Sequence, residues 1–96
     1  MGASARLHQQ PRRVEQVVAS ELEGEMVLLN LATEEYYSLN EVGTRLWDLT
    51  DGKRTVAEMI DTILQEYEAE RAGVTEDVLA LFQELTDEGL VAWNAA

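Results

Sequence analysis

One histidine, no cysteine and 19 carboxylates are what this 96-residue chain offers to nucleophilic or acid–base chemistry. A hydroxyl or thiol nucleophile needs an imidazole beside it, and the single histidine, His8, lies in a stretch with no hydrophobic period. Without cysteine there is no thiol nucleophile, no thiolate zinc site, no iron–sulfur cluster and no disulfide. Neighbouring carboxylates occur at Glu34-Glu35, at Glu68 and Glu70, and at Glu76-Asp77. In a chain this acidic they read as solvated surface and not as catalytic dyads. The D-x-[DN]-x-[DN]-G spacing of a calcium loop is missing, so Asp48, Asp51 and Gly52 read as a helix end. Gly52-Lys53 lacks the earlier glycine that a phosphate-binding loop needs. The expectation is a protein that is not an enzyme, with no catalytic residue, no metal and no cofactor.

The charge carries more information. The formal net charge is −12. Residues 1–13 (MGASARLHQQPRR) hold Arg6, Arg12 and Arg13, no acid, and the only proline, Pro11. They read as a flexible basic tail ahead of a single domain at 14–93. From Val14 onward four basic residues face 19 acidic ones, which leaves that part at −15. Such a surface repels phosphate backbones and anionic lipid, so neither nucleic acid nor membrane is an expected partner. The apolar runs are too short to span a bilayer and no secretory hydrophobic region opens the chain, so a cytoplasmic location is expected. A domain of this length should have a radius of gyration of roughly 12–13 Å.

The elements that would position any site follow from the hydrophobic period, which changes once. From Val14 to about Leu39, the runs VEQVVASEL, MVLLNL and EYYSL are strand-like, and turns are expected at Glu23-Gly24-Glu25 and Ala32-Thr33-Glu34. Asn40 then caps a helix to Thr50, with Val42, Leu46 and Leu49 on one face, Trp47 beside them, and Asp51-Gly52 as the stop. Thr55-Val56-Ala57-Glu58 is a capping box. Behind it Val56, Met59, Ile60, Ile63, Leu64 and Tyr67 keep the spacing of an amphipathic helix. Glu68 to Gly73 reads as a loop, and Thr75 as the cap of a third helix that runs through Glu88 to a stop at Gly89. Leu90-Val91-Ala92-Trp93 follows as a short strand or a loosely packed end. Three antiparallel strands followed by three helices make a small α+β domain. Trp47 and Ile60 should be buried.

Two surfaces exceed what this core needs. On the third helix Val78, Leu79, Leu81, Phe82 and Leu85 cover over half the circumference, where packing on one side needs about a third. Either the helix is covered on two sides or part of this face lines a groove for a partner. The Tyr36-Tyr37-Ser38-Leu39 strand, if it lies at a sheet edge, presents unpaired N–H and C=O groups that are either protected or used. The element order also suggests a winged helix-turn-helix, which would read DNA with its third helix. After Arg71 there is no lysine or arginine, and Glu76, Asp77, Glu84, Asp87 and Glu88 would all approach phosphates. DNA binding through this helix is excluded on charge.

LNEVGTRLWDLTDGKRT at Leu39–Thr55, with VAEMIDTILQEY at Val56–Tyr67, DVLALFQEL at Asp77–Leu85 and GLV at Gly89–Val91, resembles the PqqD-like family. These are the peptide-recognition domains of ribosomal-peptide natural-product pathways, also called RiPP recognition elements. The resemblance runs from about Met26 to Val91. The Tyr-Tyr-Ser-Leu-Asn run and Trp47 look more like the free-standing recognition proteins of lasso-peptide clusters than like the PqqD of quinone-cofactor synthesis. Glu34 stands where similar sequences often place glycine. If the turn needs positive φ, glutamate there costs on the order of 1 kcal/mol.

The resemblance implies a binding module on which a precursor's leader peptide adds as an antiparallel strand to the third strand and lies against the third helix. Carried onto this chain, the edge is Glu35, Tyr36, Tyr37 and Ser38, and the groove wall is Asp77, Val78, Leu81, Phe82 and Leu85. The implied partners are the leader peptide and a separate leader protease or other modifying enzyme. Two rival readings are a peptide chaperone of pyrroloquinoline quinone biosynthesis and an acidic protein-interaction domain outside these pathways.

Overall fold

Leu22 and Glu25 face each other across a two-residue turn in which Glu23 (φ 55°) and Gly24 (φ 81°) are both left-handed. That geometry matches the twist of the flanking strands and closes a tight hairpin. The computed structural model describes residues 6–94. The elements are β1 (Gln10–Arg13), β2 (Val17–Leu22), β3 (Glu25–Asn30), β4 (Glu35–Leu39), α1 (Glu41–Leu49), α2 (Val56–Glu66), α3 (Arg71–Asp87) and β5 (Val91–Asn94). β2, β3 and β4 form an antiparallel sheet in that order, while β1 pairs with β5 in a separate ribbon. The α+β arrangement of three antiparallel strands and three helices is the expected one, and the radius of gyration is 12.8 Å.

The second hairpin turns through Leu31 to Glu34, and Glu34 takes φ 62°. The turn therefore does require the left-handed region at the position of the departing glutamate. Asn40 caps α1 by accepting from the Gly43 N–H at 2.9 Å. The Thr55–Glu58 capping box is formed in both directions, at 3.2 Å and 2.8 Å. The inner face of the sheet supplies Met26, Leu28 and Leu39 to a core shared with Leu46, Trp47, Ile60 and Phe82. Trp47 is 2% exposed and Ile60 1%, as the helical stripes require.

Two expectations need correction. Gln10–Arg13 are not part of a tail but a strand, with Pro11 buried and Pro11 opposite Trp93. Main-chain pairing and arginine stacking hold this segment, so it shows no apolar period. Arg13 Nη2 and Nε donate to the Trp47 carbonyl at 2.6 Å and 3.2 Å, and its guanidinium lies 5.1 Å over the Trp47 ring. Arg6 lies 4.2 Å over the Trp93 ring. Residues 1–5 lie outside the described residues. The third helix begins at Arg71, not at a Thr75 cap, and ends at Asp87. Arg71 and Ala72 are good helix formers, and the Arg71–Asp61 ion pair at 2.6 Å ties this first turn to α2, which offsets the cost of Gly73.

Candidate functional site: an open strand edge beside a cavity

β4 is the last strand of its sheet, and among the described residues no strand pairs with its outer side. The register shows which main-chain groups are left there. The Leu31 N–H donates to the Gln16 carbonyl at 2.8 Å, which continues the β2–β3 ladder as a hydrogen-bonded pair. Antiparallel ladders alternate, so Leu29 and Val27 also turn their main chain toward β2. Asn30, Leu28 and Met26 then face β4 and meet Glu35, Tyr37 and Leu39. Tyr36 and Ser38 remain with N–H and C=O groups directed to the open side.

The side chains alternate in the same way. Tyr37 and Leu39 point toward the helices. Tyr36, 71% exposed, stands on the outer face in line with Leu29 and Val18.

Beside this edge lies a cavity of about 480 Å³. Tyr37, Ser38 and Leu39 of β4 form one wall, and Val74, Asp77, Val78 and Leu81 of α3 the opposite one. Val42, Gly43 and Leu46 of α1, with Ile63 and Tyr67 from α2 and its end, close the inner side. A side chain at Gly43 would place Cβ 3.2 Å from Leu39 Cδ2, so glycine here permits the close approach of α1 to the end of β4. Arg45 holds Glu66 with two bonds of 2.8 Å and lowers the Glu66 carboxyl pKa, foremost through that hydrogen bond. The Tyr67 hydroxyl donates to Glu41 at 3.2 Å. These two links join the start and middle of α1 to the end of α2 beside the cavity.

The groove has a direction. Asn30 Nδ2 donates to the Glu88 carbonyl at 3.3 Å, so the C-terminal end of α3 sits by the start of β4. The N-terminal half of α3 accordingly walls the cavity near Leu39. Burial raises the Tyr37 pKa above its ordinary 10.0, and the carboxylates of Glu84 and then Glu88 raise it further.

Of the residues singled out in sequence, Tyr37, Ser38, Asp77, Val78 and Leu81 meet around this one cavity. Glu35 and Tyr36 share the edge but lie outside it. Phe82 and Leu85, each 1% exposed, pack in the core and, unlike the equally buried Val78, do not line this cavity. Phe82 stands edge-on to Trp93 with ring centroids 5.8 Å apart. The broad apolar face of α3 thus divides between the core and the cavity. Val42, Leu46, Tyr67 and Val74 line the cavity and were missed. The first three sit on apolar stripes that read as core, and Val74 fell between the stretch read as a loop and the expected Thr75 cap. Among the described residues no three carboxylates or imidazoles gather as a metal site would require, and no helix is long and apolar enough to cross a membrane.

Residues 25–91 match the family described as Coenzyme PQQ synthesis protein D (PqqD). The PqqA binding protein of Rhodopseudomonas palustris (strain HaA2) is 38% identical over 61 residues, 64% of this chain and 60% of that relative. The PqqA binding protein of Gluconobacter oxydans is 35% identical over 60 residues, 62% of each. The chain thus spans about three-fifths of the length of these curated relatives. Among solved structures, TbiB1 in complex with the TbiA(beta) leader peptide is similar with a TM-score of 0.77 and 31% identity, covering 83% of this chain and 93% of that one. A lasso peptide synthetase B1 complexed with the leader peptide is similar in fold, with a TM-score of 0.77 at 24% identity over 86% and 98% of the two chains.

Proposed function

Because this chain belongs to the PqqD family, we propose that it captures the leader segment of a ribosomally made precursor peptide and presents it to a separate enzyme. The leader adds as an antiparallel strand to β4, bonding to Tyr36 and Ser38, and sets apolar side chains into the cavity against Val78 and Leu81. The observation that carries this reading is the coincidence of an unpaired strand edge with an adjoining, largely apolar cavity. Strand addition supplies main-chain bonds that are blind to sequence, and the cavity supplies the choice of peptide. Ordering a flexible leader costs about 2–5 kcal/mol. Two or three buried apolar anchors at about 1.5–3 kcal/mol each offset that and leave micromolar to nanomolar binding.

The client we favour is a lasso-peptide precursor, with a leader protease as the receiving enzyme, working in the cytoplasm where such precursors are made. What supports it is the Tyr36-Tyr37-Ser38-Leu39-Asn40 run with Trp47, which resembles the free-standing lasso-pathway proteins, beside the 31% identity to TbiB1, a protein solved with a leader peptide. The names of those relatives favour the second reading, a quinone-pathway precursor as client.

Calorimetry with synthetic leader peptides from precursor genes beside this gene tests the proposal. Micromolar or tighter binding is expected. Absence of heat with every neighbouring leader would refute it. The pathway follows from which leader binds.

A further inference from the structure

We infer that the groove reads charge as well as shape: the peptide it takes carries a lysine or arginine about 3–5 residues C-terminal to the apolar side chain that fills the cavity. This rests on the leader-capture reading and adds to it the sequence class of the leader.

The argument starts from the direction of the groove. Its cavity end lies at Leu39, Val74, Asp77 and Val78, with Asp77 the one carboxylate among the cavity-lining residues, and its other end at Glu35, Glu84 and Glu88. All three glutamates are exposed. The ion pairs among the described residues are Arg45–Glu66, Arg54–Asp51 and Arg71–Asp61, and none involves these three. Arg6 and Arg13 are stacked on tryptophans instead. Glu35 comes from the sheet, Glu84 from α3 and Glu88 from its C-cap, so an extended peptide between them meets carboxylates from both walls. Glu84 and Glu88 also lie close enough to Tyr37 to add to the rise in its pKa that burial chiefly causes.

An antiparallel strand on β4 enters at the Leu39 end and leaves at the Glu35 end. Its apolar anchor therefore precedes its contact with the acids. From Val78 to Glu84 and Glu88 is about 9–15 Å along a helix, which an extended peptide covers in roughly 3–5 residues. A cation there is attracted by three carboxylates, whereas an aspartate or glutamate is repelled.

The test is fluorescence anisotropy on the full chain with labelled synthetic peptides tiling the leader encoded beside the gene. Wild type is compared with Glu84→Gln/Glu88→Gln and with Glu21→Gln on the opposite edge strand, at about 20 and about 500 mM salt, where screening lengths differ several-fold. The double variant should bind about threefold to tenfold more weakly at low salt and like wild type at high salt. Glu21→Gln should bind like wild type. Replacing the peptide's cation by glutamine should reproduce the loss on wild-type protein, a comparison that does not depend on how any variant folds. Placing the cation ahead of the anchor, where Asp77 is the one cavity-lining carboxylate, should restore less affinity than its place beside the three glutamates. A wild type that binds the leader equally well at both salts and with or without the cation overturns this inference alone. A wild type that binds no leader peptide at either salt overturns the leader-capture reading and this inference with it.

Discussion

Asn30 and Glu88 lie 58 residues apart and are joined by one hydrogen bond, from the Asn30 side-chain amide to the Glu88 carbonyl at 3.3 Å. The amide oxygen of the same residue accepts from the Ala32 N–H at 2.9 Å. One buried side chain, 6% exposed, thereby holds both the turn into β4 and the far end of α3. These are the two walls of the groove.

Asn30→Ala leaves the Ala32 donor and the Glu88 acceptor without this partner, and should cost about 1–3 kcal/mol. The urea midpoint measures the loss. Leader affinity should fall under conditions where the variant is still folded, because the separation of β4 and α3 is no longer set. A variant with an unchanged midpoint would show that water replaces both bonds and that Asn30 does not hold the groove.

Proline substitution distinguishes the two sides of β4. Tyr36 and Ser38 direct their N–H groups to the open edge, so Tyr36→Pro or Ser38→Pro should spare the β3–β4 ladder and weaken leader binding by about tenfold for each lost main-chain bond with its local distortion. Tyr37→Pro removes a donor to Leu28 within the sheet and should lower the unfolding midpoint itself. Calorimetry and helical circular dichroism on the three variants separate these outcomes. Equal leader binding by Tyr36→Pro, Ser38→Pro and wild type would place the peptide elsewhere.

The elements that could be read from sequence were those with a local cause. Asn40 and the Thr55–Glu58 box announce their helices because capping is decided within four residues. The strand at Gln10–Arg13 has no such signal. Its partner β5 lies at the other end of the chain, and its stacking partner Trp47 on α1. The start of α3 was missed for a related reason: its first turn has no side-chain cap and is tied instead to Asp61 on α2. The site divides likewise. Tyr37, Val78 and Leu81 stood out as excess apolar surface, whereas Val42 and Leu46 could be assigned to the cavity only once Gly43 had brought α1 against β4. Periodicity shows which face of an element is buried and not how much of that face stays open.

Glu34 supplies a test of local strain. Its φ of 62° costs a residue with Cβ about 1–2 kcal/mol, of which glycine gives back some through the greater freedom of its unfolded chain. Glu34→Gly should therefore stabilise the domain by about 0.5–1 kcal/mol, seen as a higher urea midpoint with unchanged slope. A lower midpoint would mean that the glutamate side chain contributes more to the turn than its backbone costs.

The Tyr37 phenol reports on the groove directly. Burial, then Glu84, then Glu88 raise its pKa above the ordinary 10.0, since each disfavours the phenolate. For a group raised on folding, the stabilisation is complete below the unfolded value and is lost as pH rises through the folded one. Tyr37 therefore favours the folded state up to about pH 10 and withdraws that support only above it. Subtracting the alkaline phenolate titration of Tyr37→Phe from that of wild type should reveal a step above 10.0. In Glu84→Gln this step should move down but stay above the ordinary value, because burial is the leading cause. Glu41→Gln should instead move the step of Tyr67, whose hydroxyl donates to Glu41. Leader bound beside Tyr37 should raise its step further by excluding water. A difference curve centred at or below 10.0 would show that the ring does not lie between the open edge and Glu84. The groove would then have to be redrawn without Tyr37 in its wall.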